Sequence, residues 1–357
     1  MTARQTVTII DVAHAAGVSK STAGRALAGA SEVSARTREK VARVAAELGY
    51  RPNSLARSMI TGNTETVGVV VPDLSNRFFA EALQSIARTV RKHGYEVLVS
   101  GTEGEPELER RSVETLAAKR VDGVIVAPLD GTDDDHLRRL TEDGTALVLL
   151  DRRAPGVERA SFVSANNIEA SRLALDHLIA LGHRDIAIIS ESRYDPALAD
   201  ATEPSATGLR PSAMRLAGYL QALRAAGIPV RPAHVVHSAY SSAISYDATR
   251  TLLRTNPAVT AIYCTDNVLS AGAFAAVQDS GLTCPRDLSL IGFDDHEWAT
   301  LVRPRLTVVE QPTEAMGVAA AEDLLAAIAD PSQPPVTRLL STHLVVRDST
   351  APPPTWP

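Results

Sequence analysis

The sequence predicts a small helical head followed by an α/β body of two lobes, each built on a doubly wound parallel sheet. Apolar residues recur at helical spacing within residues 1–62. From about residue 65, short apolar runs alternate with amphipathic stretches, as buried parallel strands alternate with helices. The runs are residues 66–71, 95–100, 121–127, 145–151, 185–190, 233–238, 260–264 and 288–293. Eight strands are more than a single open sheet usually contains, so we expect two similar lobes.

The head is predicted to begin with two short helices. Thr8 precedes the apolar-periodic residues 9–16, and Asp11 completes a capping box, in which two side chains satisfy free backbone amides. Gly17 ends this helix, and Ser19 can cap a second helix that starts at Lys20. Two helices around a glycine turn match a helix-turn-helix, whose second helix lies in the DNA major groove. A generic three-helix bundle with solvated polar side chains is the alternative.

A third helix is predicted to cover the first two. Ser34 can cap it, and Gly49 ends it. Its apolar residues recur every three or four positions and are Val41, Val44, Ala45 and Leu48.

The charge is distributed unevenly along the chain. The 357 residues carry 36 Lys+Arg and 42 Asp+Glu, a net charge of −6. Residues 1–62 hold nine basic and four acidic residues, so this part is +5 and the remainder is −11. A basic head on an acidic body suggests a polyanion-binding module fused to another domain, with chance surface charge as the alternative.

Several classes of protein are excluded by composition. Two cysteines cannot build a disulfide framework, which favours a cytoplasmic protein. No apolar run approaches the ~20 residues that cross a bilayer. Asp11 and His14 interrupt any apolar signal-peptide segment near the N-terminus.

Known catalytic patterns are missing. We find no GxGxxG after a strand, no Walker loop and no HExxH or CxxC pattern, so we expect no enzyme activity, no cofactor and no metal. His183 in LGHRD is interpreted as a structural turn residue rather than a base.

Polar and aromatic side chains follow most of the predicted strands, where doubly wound lobes bind ligands. Carboxylates, amides and arginine can bind vicinal hydroxyls, and an aromatic face can stack on a sugar ring. Each residue alone could instead cap a turn or fill the core. Arg215 is expected to open a helix. The candidate effector residues are Asp73, Asn76, Phe78, Phe79, Asp151, Arg152, Arg215, Tyr240, Asp266 and Asp294.

Several stretches of the chain resemble a known protein family. The stretches VTIIDVAHAAGVSKSTAGRALAG and VSARTREKVARVAAELGYRPNSLARSM are similar to the DNA-binding head of the lactose/galactose-repressor (LacI/GalR) family. The body continues the resemblance with VGVVVPDLSNRFFAE, RVDGVIVAP, HLIALGHRDIAII, RLAGYLQAL and LSLIGFDD. The resemblance implies a dimeric, effector-controlled DNA-binding protein with a periplasmic-binding-protein-like body. By family position, Arg215, Asp294 and Asp151 are the leading effector residues.

The resemblance also assigns DNA contacts. It implies a hinge helix that enters the minor groove, with Asn53 as its cap, Ala56 allowing close approach and Met59 as the wedge between base steps. Linker packing is the alternative role for Met59. The candidate DNA-binding residues are Thr8, Ser19, Lys20, Ser21, Thr22, Arg25, Ser34, Thr37, Tyr50, Asn53, Ala56 and Met59.

The predicted boundaries follow from these assignments. The helix-turn-helix domain spans residues 1–51, the hinge and linker 52–64, the effector-binding and dimerisation body 65–349, and a frayed tail 350–357. The lobe nearer DNA comprises about 65–164 plus 312–340, and the other lobe about 165–311 plus 341–349.

The sequence departs from the family pattern at several positions. Gly24 and Ala28 replace a serine and an asparagine in the head. The pair Asp266-Asn267 is reversed, and Asn166 replaces an aspartate. Residues 191–214 form an unusually long segment.

We therefore expect a transcriptional regulator that acts as a repressor, with an activator as the alternative. It would bind a pseudo-palindromic operator as a homodimer and respond to a small polar effector, expected to be a sugar. A solute-binding protein for transport and a nucleotide-dependent enzyme are the alternatives. The basic head argues against the first, and the missing phosphate loop argues against the second.

Overall fold

The computed structural model describes residues 7–27, 32–50, 63–129, 134–202 and 210–354. The chain divides into two compact units. One is the head, which extends to Thr66 and includes residues 120–122. The other is the body, which contains the remaining described residues.

The head contains the three helices that the sequence predicts. They are α1 (Ile9–Ala16), α2 (Lys20–Leu27) and α3 (Ala35–Glu47). Small and β-branched side chains form their shared core, namely Val12, Ala13, Ala16, Ala23, Ala26, Val33, Val41 and Ala45. Leu48 was expected in this core, but it is 38% exposed because α3 ends at the preceding residue.

Local hydrogen bonds define the ends of α1 and the start of α2. The Asp11 carboxylate accepts bonds from the Thr8 amide at 2.8 Å and the Thr8 hydroxyl at 2.7 Å. Gly17 ends α1 in the left-handed conformation, with φ of 65°. Ser19 Oγ then accepts the Thr22 amide at 3.1 Å, which caps α2.

The first lobe is built on a six-stranded sheet. Its strands are β1 (Thr66–Val71), β2 (Glu96–Gly101), β3 (Gly123–Val126), β4 (Ala146–Leu150), β5 (Ser161–Ala165) and β11 (Thr337–Leu340), in the spatial order β11-β5-β4-β3-β1-β2. Its helices are α4 (Arg77–Lys92), α5 (Pro106–Ala118), α6 (Asp135–Glu142) and α12 (Thr313–Ala329).

The second lobe repeats this plan with another six-stranded sheet. Its strands are β6 (Ile186–Ser190), β7 (Val235–His237), β8 (Ala261–Cys264), β9 (Ser289–Phe293), β10 (Thr307–Glu310) and β12 (His343–Val345), ordered β12-β10-β9-β8-β6-β7. Its α-helices are α7 (Asn167–Ala180), α8 (Pro211–Ala225), α9 (Ser242–Thr255), α10 (Asn267–Asp279) and α11 (Glu297–Leu301). Two short 3₁₀ helices span Pro196–Asp200 and Pro232–His234.

The two sheets confirm the predicted α/β class of paired lobes. All eight predicted strands are present, together with four that the sequence analysis missed: β5, β10, β11 and β12. Two serines interrupt the apolar run of β5, and β11 and β12 are short, partly exposed edge strands. Strand β12 pairs antiparallel with β10, so the second sheet is not wholly parallel.

The chain crosses between the lobes three times. It passes from β5 to α7, from β10 to α12 and from β11 to β12. Helices α7 and α8 pack so closely that a Cβ added at Gly218 would lie 2.3 Å from the Ile168 carbonyl oxygen. This packing brings the start of α7 next to the side chains of α8.

The start of the tail packs on the second lobe instead of fraying as expected. Buried His183 donates from Nε2 to the Ala351 carbonyl at 2.8 Å, and its Nδ1 lies 2.8 Å from Thr260 Oγ1. Ser289 Oγ donates to the same carbonyl at 3.0 Å. These contacts agree with the structural role predicted for His183. Residues 355–357 lie outside the described part.

The long segment 191–214 also packs in part on the second lobe. Leu198, in the first 3₁₀ helix, is buried in the hydrophobic core of this lobe, and Gln221 donates to the Ala201 carbonyl at 2.8 Å. Residues 203–209 lie outside the described part. Among the residues that the structure describes, no helix has the length and apolar character needed to span a bilayer.

We predict that Gly24→Ala stabilises the head. Gly24 is helical, and an added Cβ would meet only Ile9 Cδ1 at 3.6 Å, an ordinary contact. Removing a glycine from a helix interior should raise local stability by about 0.5–1 kcal/mol. Hydrogen exchange of the α2 amides in the full chain measures this change.

Gly17→Ala is the matched control. At φ of 65° an alanine is strained, so exchange should become faster, by an amount equivalent to about 1–2 kcal/mol. Slower exchange in Gly17→Ala, or faster exchange in Gly24→Ala, would contradict this account of the two glycines.

Candidate functional site

The predicted DNA-reading residues cluster at the start of α2. Lys20, Ser21 and Arg25 are exposed, and Thr22 is half-buried. The Ser19 hydroxyl lies 2.9 Å from Ser21 Oγ and 2.8 Å from Thr22 Oγ1. The hydroxyls therefore hold the first turn together, while Lys20 and Arg25 extend from the helix surface.

Arg25 is engaged with Glu32 in the structure. Its Nη1 donates to Glu32 Oε2 at 3.2 Å, and both side chains are largely exposed. Exposed ion pairs contribute only about 0–1 kcal/mol, so a phosphate or base edge could compete for this guanidinium.

The remaining predicted DNA contacts in the head are more dispersed. Thr8 and Ser34 are exposed, whereas Thr37 and Tyr50 are half-buried. Ser34 caps α3 by accepting the Thr37 amide at 3.3 Å, so it also has a local structural role. Asn53, Ala56 and Met59, together with Ala28, lie outside the described residues.

All ten predicted effector residues line one cavity of about 490 Å³ between the two lobes of the body. This volume is within the range typical of small-molecule sites. The first lobe contributes Asp73, Asn76, Phe78, Phe79, Asp151 and Arg152, and the second contributes Arg215, Tyr240, Asp266 and Asp294.

The ends of the strands place two of the cavity carboxylates in equivalent positions. Asp151 directly follows β4, and Asp294 directly follows β9. Both adopt the left-handed conformation, with φ of 65° and 63°. Each amide donates at 2.8 Å to the neighbouring strand, to Val163 and Val309 respectively. Aspartate tolerates this conformation better than most residues, and such backbone outliers often mark functional sites.

Arg215 is the most extensively bonded side chain of the cavity. It is 6% exposed, and its Nε donates to Asn167 Oδ1 at 2.8 Å. Its Nη1 donates to the Thr265 carbonyl at 2.7 Å, and its Nη2 donates to Gln311 Oε1 at 3.3 Å. The guanidinium carbon lies 3.7 Å from the centre of the Phe293 ring. Arg215 lies in the second turn of α8 and does not open it as expected, because Pro211 begins the helix.

Gln311 links Arg215 to Asp294. Its Nε2 donates to Asp294 Oδ1 at 2.7 Å, while its Oε1 accepts from Arg215. One neutral amide thus bridges a buried cation and an anion, which fixes the orientation of both.

Three contacts join the lobes at the cavity rim. Asn76 Nδ2 donates to the Tyr240 hydroxyl at 3.0 Å, and Arg210 Nη2 donates to the Leu129 carbonyl at 2.8 Å. Arg77 of the first lobe also lies 4.0 Å from a carboxylate oxygen of the second lobe. The lobes are therefore in direct polar contact across the opening.

Several residues of this site were not predicted from the sequence. Glu103, Leu129, Glu191, Arg210, Ser212 and Gln311 also line the cavity. Glu191 directly follows β6, so the rule that found the others could have found it. Gln311 follows β10, which the sequence analysis did not recognise as a strand.

Burial and mutual repulsion change the acidity of the cavity carboxylates. Burial, reinforced by the charge of Asp294, raises the pKa of Asp266 to about 7. Burial also raises the pKa of Asp294 and of Asp151, and the charge of Arg215 opposes both shifts. The pKa of Tyr240 is raised by burial and then by the nearby carboxylates. This end of the cavity therefore brings several carboxyl groups together, and burial favours their protonated forms.

In the described part of the chain, no group of three or more His, Cys, Asp or Glu side chains is arranged to hold a metal ion.

We predict that Asp266→Asn changes the pH dependence of stability. A carboxyl with a raised folded-state pKa binds its proton more tightly in the native chain than in the unfolded chain. The free energy of unfolding should therefore fall as pH rises from about 4 to 7. Asparagine removes this titration and can still accept the Val268 amide that Asp266 now caps at 2.7 Å.

Urea unfolding at pH 5, 6, 7 and 8 should show the variant gaining stability relative to the parent with rising pH. The gain should reach on the order of a few kcal/mol. Asp287→Asn is the control, because its pairing with Arg286 lowers the pKa of Asp287 to about 2. The free energy of unfolding of Asp287→Asn should differ from that of the parent by the same amount at every pH from 5 to 8. A constant difference for Asp266→Asn as well would refute the shifted pKa.

Comparisons with known proteins match both parts of the chain. The profile of bacterial regulatory proteins of the lacI family matches residues 8–53, and the periplasmic binding protein-like domain matches residues 175–350. Catabolite control protein A of Priestia megaterium is 33% identical over 317 residues, which cover 88% of this chain and 90% of that protein.

Two solved structures resemble the whole chain. The lac repressor dimer bound to operator and the anti-inducer ONPF has a TM-score of 0.80 at 27% identity, covering 97% of this chain and 100% of that chain. A transcriptional regulator CelR–cellobiose complex has a TM-score of 0.67 at 31% identity, covering 96% and 99%. The chain therefore belongs to the LacI family of bacterial transcriptional regulators, which are DNA-binding proteins and not enzymes.

Proposed function

We propose that this regulator represses transcription by binding a pseudo-palindromic operator as a homodimer, and that a sugar in the interlobe cavity controls its affinity for DNA. The observation that carries the proposal is the convergence of all ten predicted effector residues on one cavity. The sequence-based boundaries assign this cavity to an effector-binding body separate from the DNA-binding head.

The chemistry of the cavity suits a polyhydroxylated ring. The carboxylates of Asp151, Asp266 and Asp294 can accept bonds from vicinal hydroxyls, and Arg152 can donate to hydroxyl oxygens. The aromatic rings of Phe78 and Phe79, which meet edge to face at 5.0 Å, contribute an apolar surface. The neighbouring CelR structure is a cellobiose complex, which supports a sugar as the ligand class.

The head supports operator recognition by the second helix. Lys20 and Arg25 are exposed on α2 and can reach phosphates and base edges in a major groove. The hinge function of Asn53, Ala56 and Met59 stays a prediction, as does the reading of DNA by the hydroxyls of the head. We place this activity in the cytoplasm, where operator DNA is accessible.

Exposed apolar side chains support a homodimer through the body. Leu98 and Val99 on the end strand β2 are 39% and 43% exposed, and Ile244 on α9 is 48% exposed. Strand β7, the end strand of the second sheet, packs beside α9. Exposed apolar residues at one end of each sheet provide a surface that a second copy could cover. The lac repressor structure is a dimer on its operator, which supports this arrangement.

Two measurements on the full chain test the proposal. Selection from a random DNA pool should recover a two-fold symmetric site, and the affinity for it should fall with rising salt because phosphate contacts release counterions. Thermal-shift screening should identify a sugar that raises the unfolding temperature. The absence of any selected site would overturn operator binding, and an unchanged operator affinity with the stabilising sugar would overturn effector control.

We predict that Lys20→Ala and Arg25→Ala each weaken operator binding. Each lost contact to a base edge or phosphate should cost about 1–3 kcal/mol, measured by fluorescence anisotropy with the selected site. Arg43→Ala is the control, because Arg43 is an exposed arginine on α3 that pairs with Glu47 within the same helix. Equal affinities for the parent, Lys20→Ala and Arg25→Ala would show that α2 does not read DNA.

We predict that Asp294→Asn uncouples the effector from DNA. The variant should bind operator like the parent but bind the sugar about 10–100-fold more weakly, because a charged hydrogen-bond acceptor is lost at the ligand. Arg215→Ala, which removes the partner of Gln311, should act in the same direction.

Asp200→Asn is the control for these variants, since Asp200 is exposed in the same lobe and pairs with Arg224. Calorimetric titration with the sugar, together with operator binding at saturating sugar, separates the variants. A parental sugar affinity in both Asp294→Asn and Arg215→Ala would place the effector site elsewhere.

A further inference from the structure

The interlobe cavity has an excess of acidic side chains. Three arginines line it, namely Arg152, Arg210 and Arg215. Six carboxylates line it, namely Asp73, Glu103, Asp151, Glu191, Asp266 and Asp294. The carboxylates come from both lobes, so they surround the cavity and are not confined to one wall.

Two of the three arginines, Arg210 and Arg215, already donate to protein groups. Arg215 donates to one backbone carbonyl and two side-chain amides. Arg210 donates to the Leu129 carbonyl at 2.8 Å. A carboxylate or phosphate of a ligand would have to compete with these acceptors.

Arg152 has a buried donor that no described residue accepts. Its buried Nε has no hydrogen-bond partner among the described residues, and it lies 3.7 Å from Asp151 Oδ2. The charge of Glu191 also acts on this guanidinium. A ligand hydroxyl can accept a hydrogen bond from this Nε. An anionic ligand group at the same point would be repelled by the carboxylates of Asp151 and Glu191.

Two of the helix N-termini at the cavity already bind protein oxygens. Helix dipoles favour anions at such positions. Asn76 already accepts the Phe78 amide at the start of α4, and the Asp266 carboxylate accepts the Val268 amide at the start of α10. At each of these two helix starts, a protein oxygen thus already binds one of the backbone amides that an anion would use.

We propose that the cavity selects effectors by charge: it accepts an uncharged polyhydroxylated compound and rejects its phosphorylated and carboxylated derivatives. This inference rests on the proposed function, because it concerns the ligand of the same cavity. The carboxyl groups can hydrogen-bond to hydroxyl groups, and those that are ionised repel any ligand that carries a negative charge of its own. The effector would then be a free sugar and not a phosphorylated or oxidised metabolite.

Matched sugars test the inference on the full chain. D-glucose, D-glucuronate and 6-amino-6-deoxy-D-glucose have similar size but differ in charge at C6. D-ribose with D-ribose 5-phosphate extends the comparison to a pentose. Calorimetric titration should show the best neutral sugar binding at least about tenfold more tightly than its anionic derivative. The amino derivative should lose less affinity than the anionic one, although the position of substitution is the same.

Variants of the rim carboxylates provide a second readout. Glu191→Gln and Glu103→Gln should each narrow the ratio between neutral and anionic affinities by several-fold, and raising the salt concentration should narrow it in the parent. Glu105→Gln is the matched control, because Glu105 is an exposed carboxylate two residues from Glu103 that does not line the cavity. In Glu105→Gln, the ratio between neutral and anionic sugar affinities should equal the ratio in the parent.

The outcomes separate the inference from the proposed function. An anionic derivative that binds as tightly as its neutral parent overturns charge selection and leaves a sugar effector standing. An unchanged ratio in both Glu191→Gln and Glu103→Gln also overturns charge selection by the rim. If no sugar of either kind binds at millimolar concentration, the sugar effector and the charge selection both fail.

Discussion

The cavity depends on the buried guanidinium of Arg215. Its bonds reach the first residue of α7, the end of β8 and the segment between β10 and α12. Two of these three points are places where the chain crosses between the lobes. A planar cation with several donors can hold three acceptors in fixed directions, which a lysine could not do. The Arg215 guanidinium also stacks on the Phe293 ring. Its positive charge opposes the rise in pKa that burial causes at Asp294 and Asp151. Arg215 therefore organises both the segments that cross between the lobes and the electrostatics of the cavity.

Physical rules acting on single elements explain why much of this was predictable. Strands such as β1 and β9 are continuous apolar runs because both faces are covered, and such runs are visible in a sequence. The polar residues after them were assigned to a ligand site because parallel strands end at one edge of a sheet. In the head, Gly17 and the caps at Ser19 and Ser34 define the helices through local hydrogen bonds. Each of these patterns depends on residues that are close in sequence.

The missed features depend on contacts between residues far apart in the chain. Strand β5 has serines at its first and fourth positions, and its pairing with β4 and β11 compensates for its weak apolar pattern. Without β10, the position of Gln311 after a strand could not be recognised. Asn167 was not among the predicted site residues, and its bond with Arg215 spans 48 residues. The tail APPPTWP was expected to fray because chain termini are commonly poorly ordered, yet Ala351 is bound by two side chains of the second lobe.

The central claim is that operator and effector act on one equilibrium of the same protein. Thermodynamic linkage requires that each ligand change the affinity of the other by the same factor. The most direct test measures operator affinity with and without the sugar that stabilises the chain, and sugar affinity with and without operator. The account predicts equal factors, of about 5–150-fold, in the two titrations. Operator affinity that does not change with saturating sugar would contradict it.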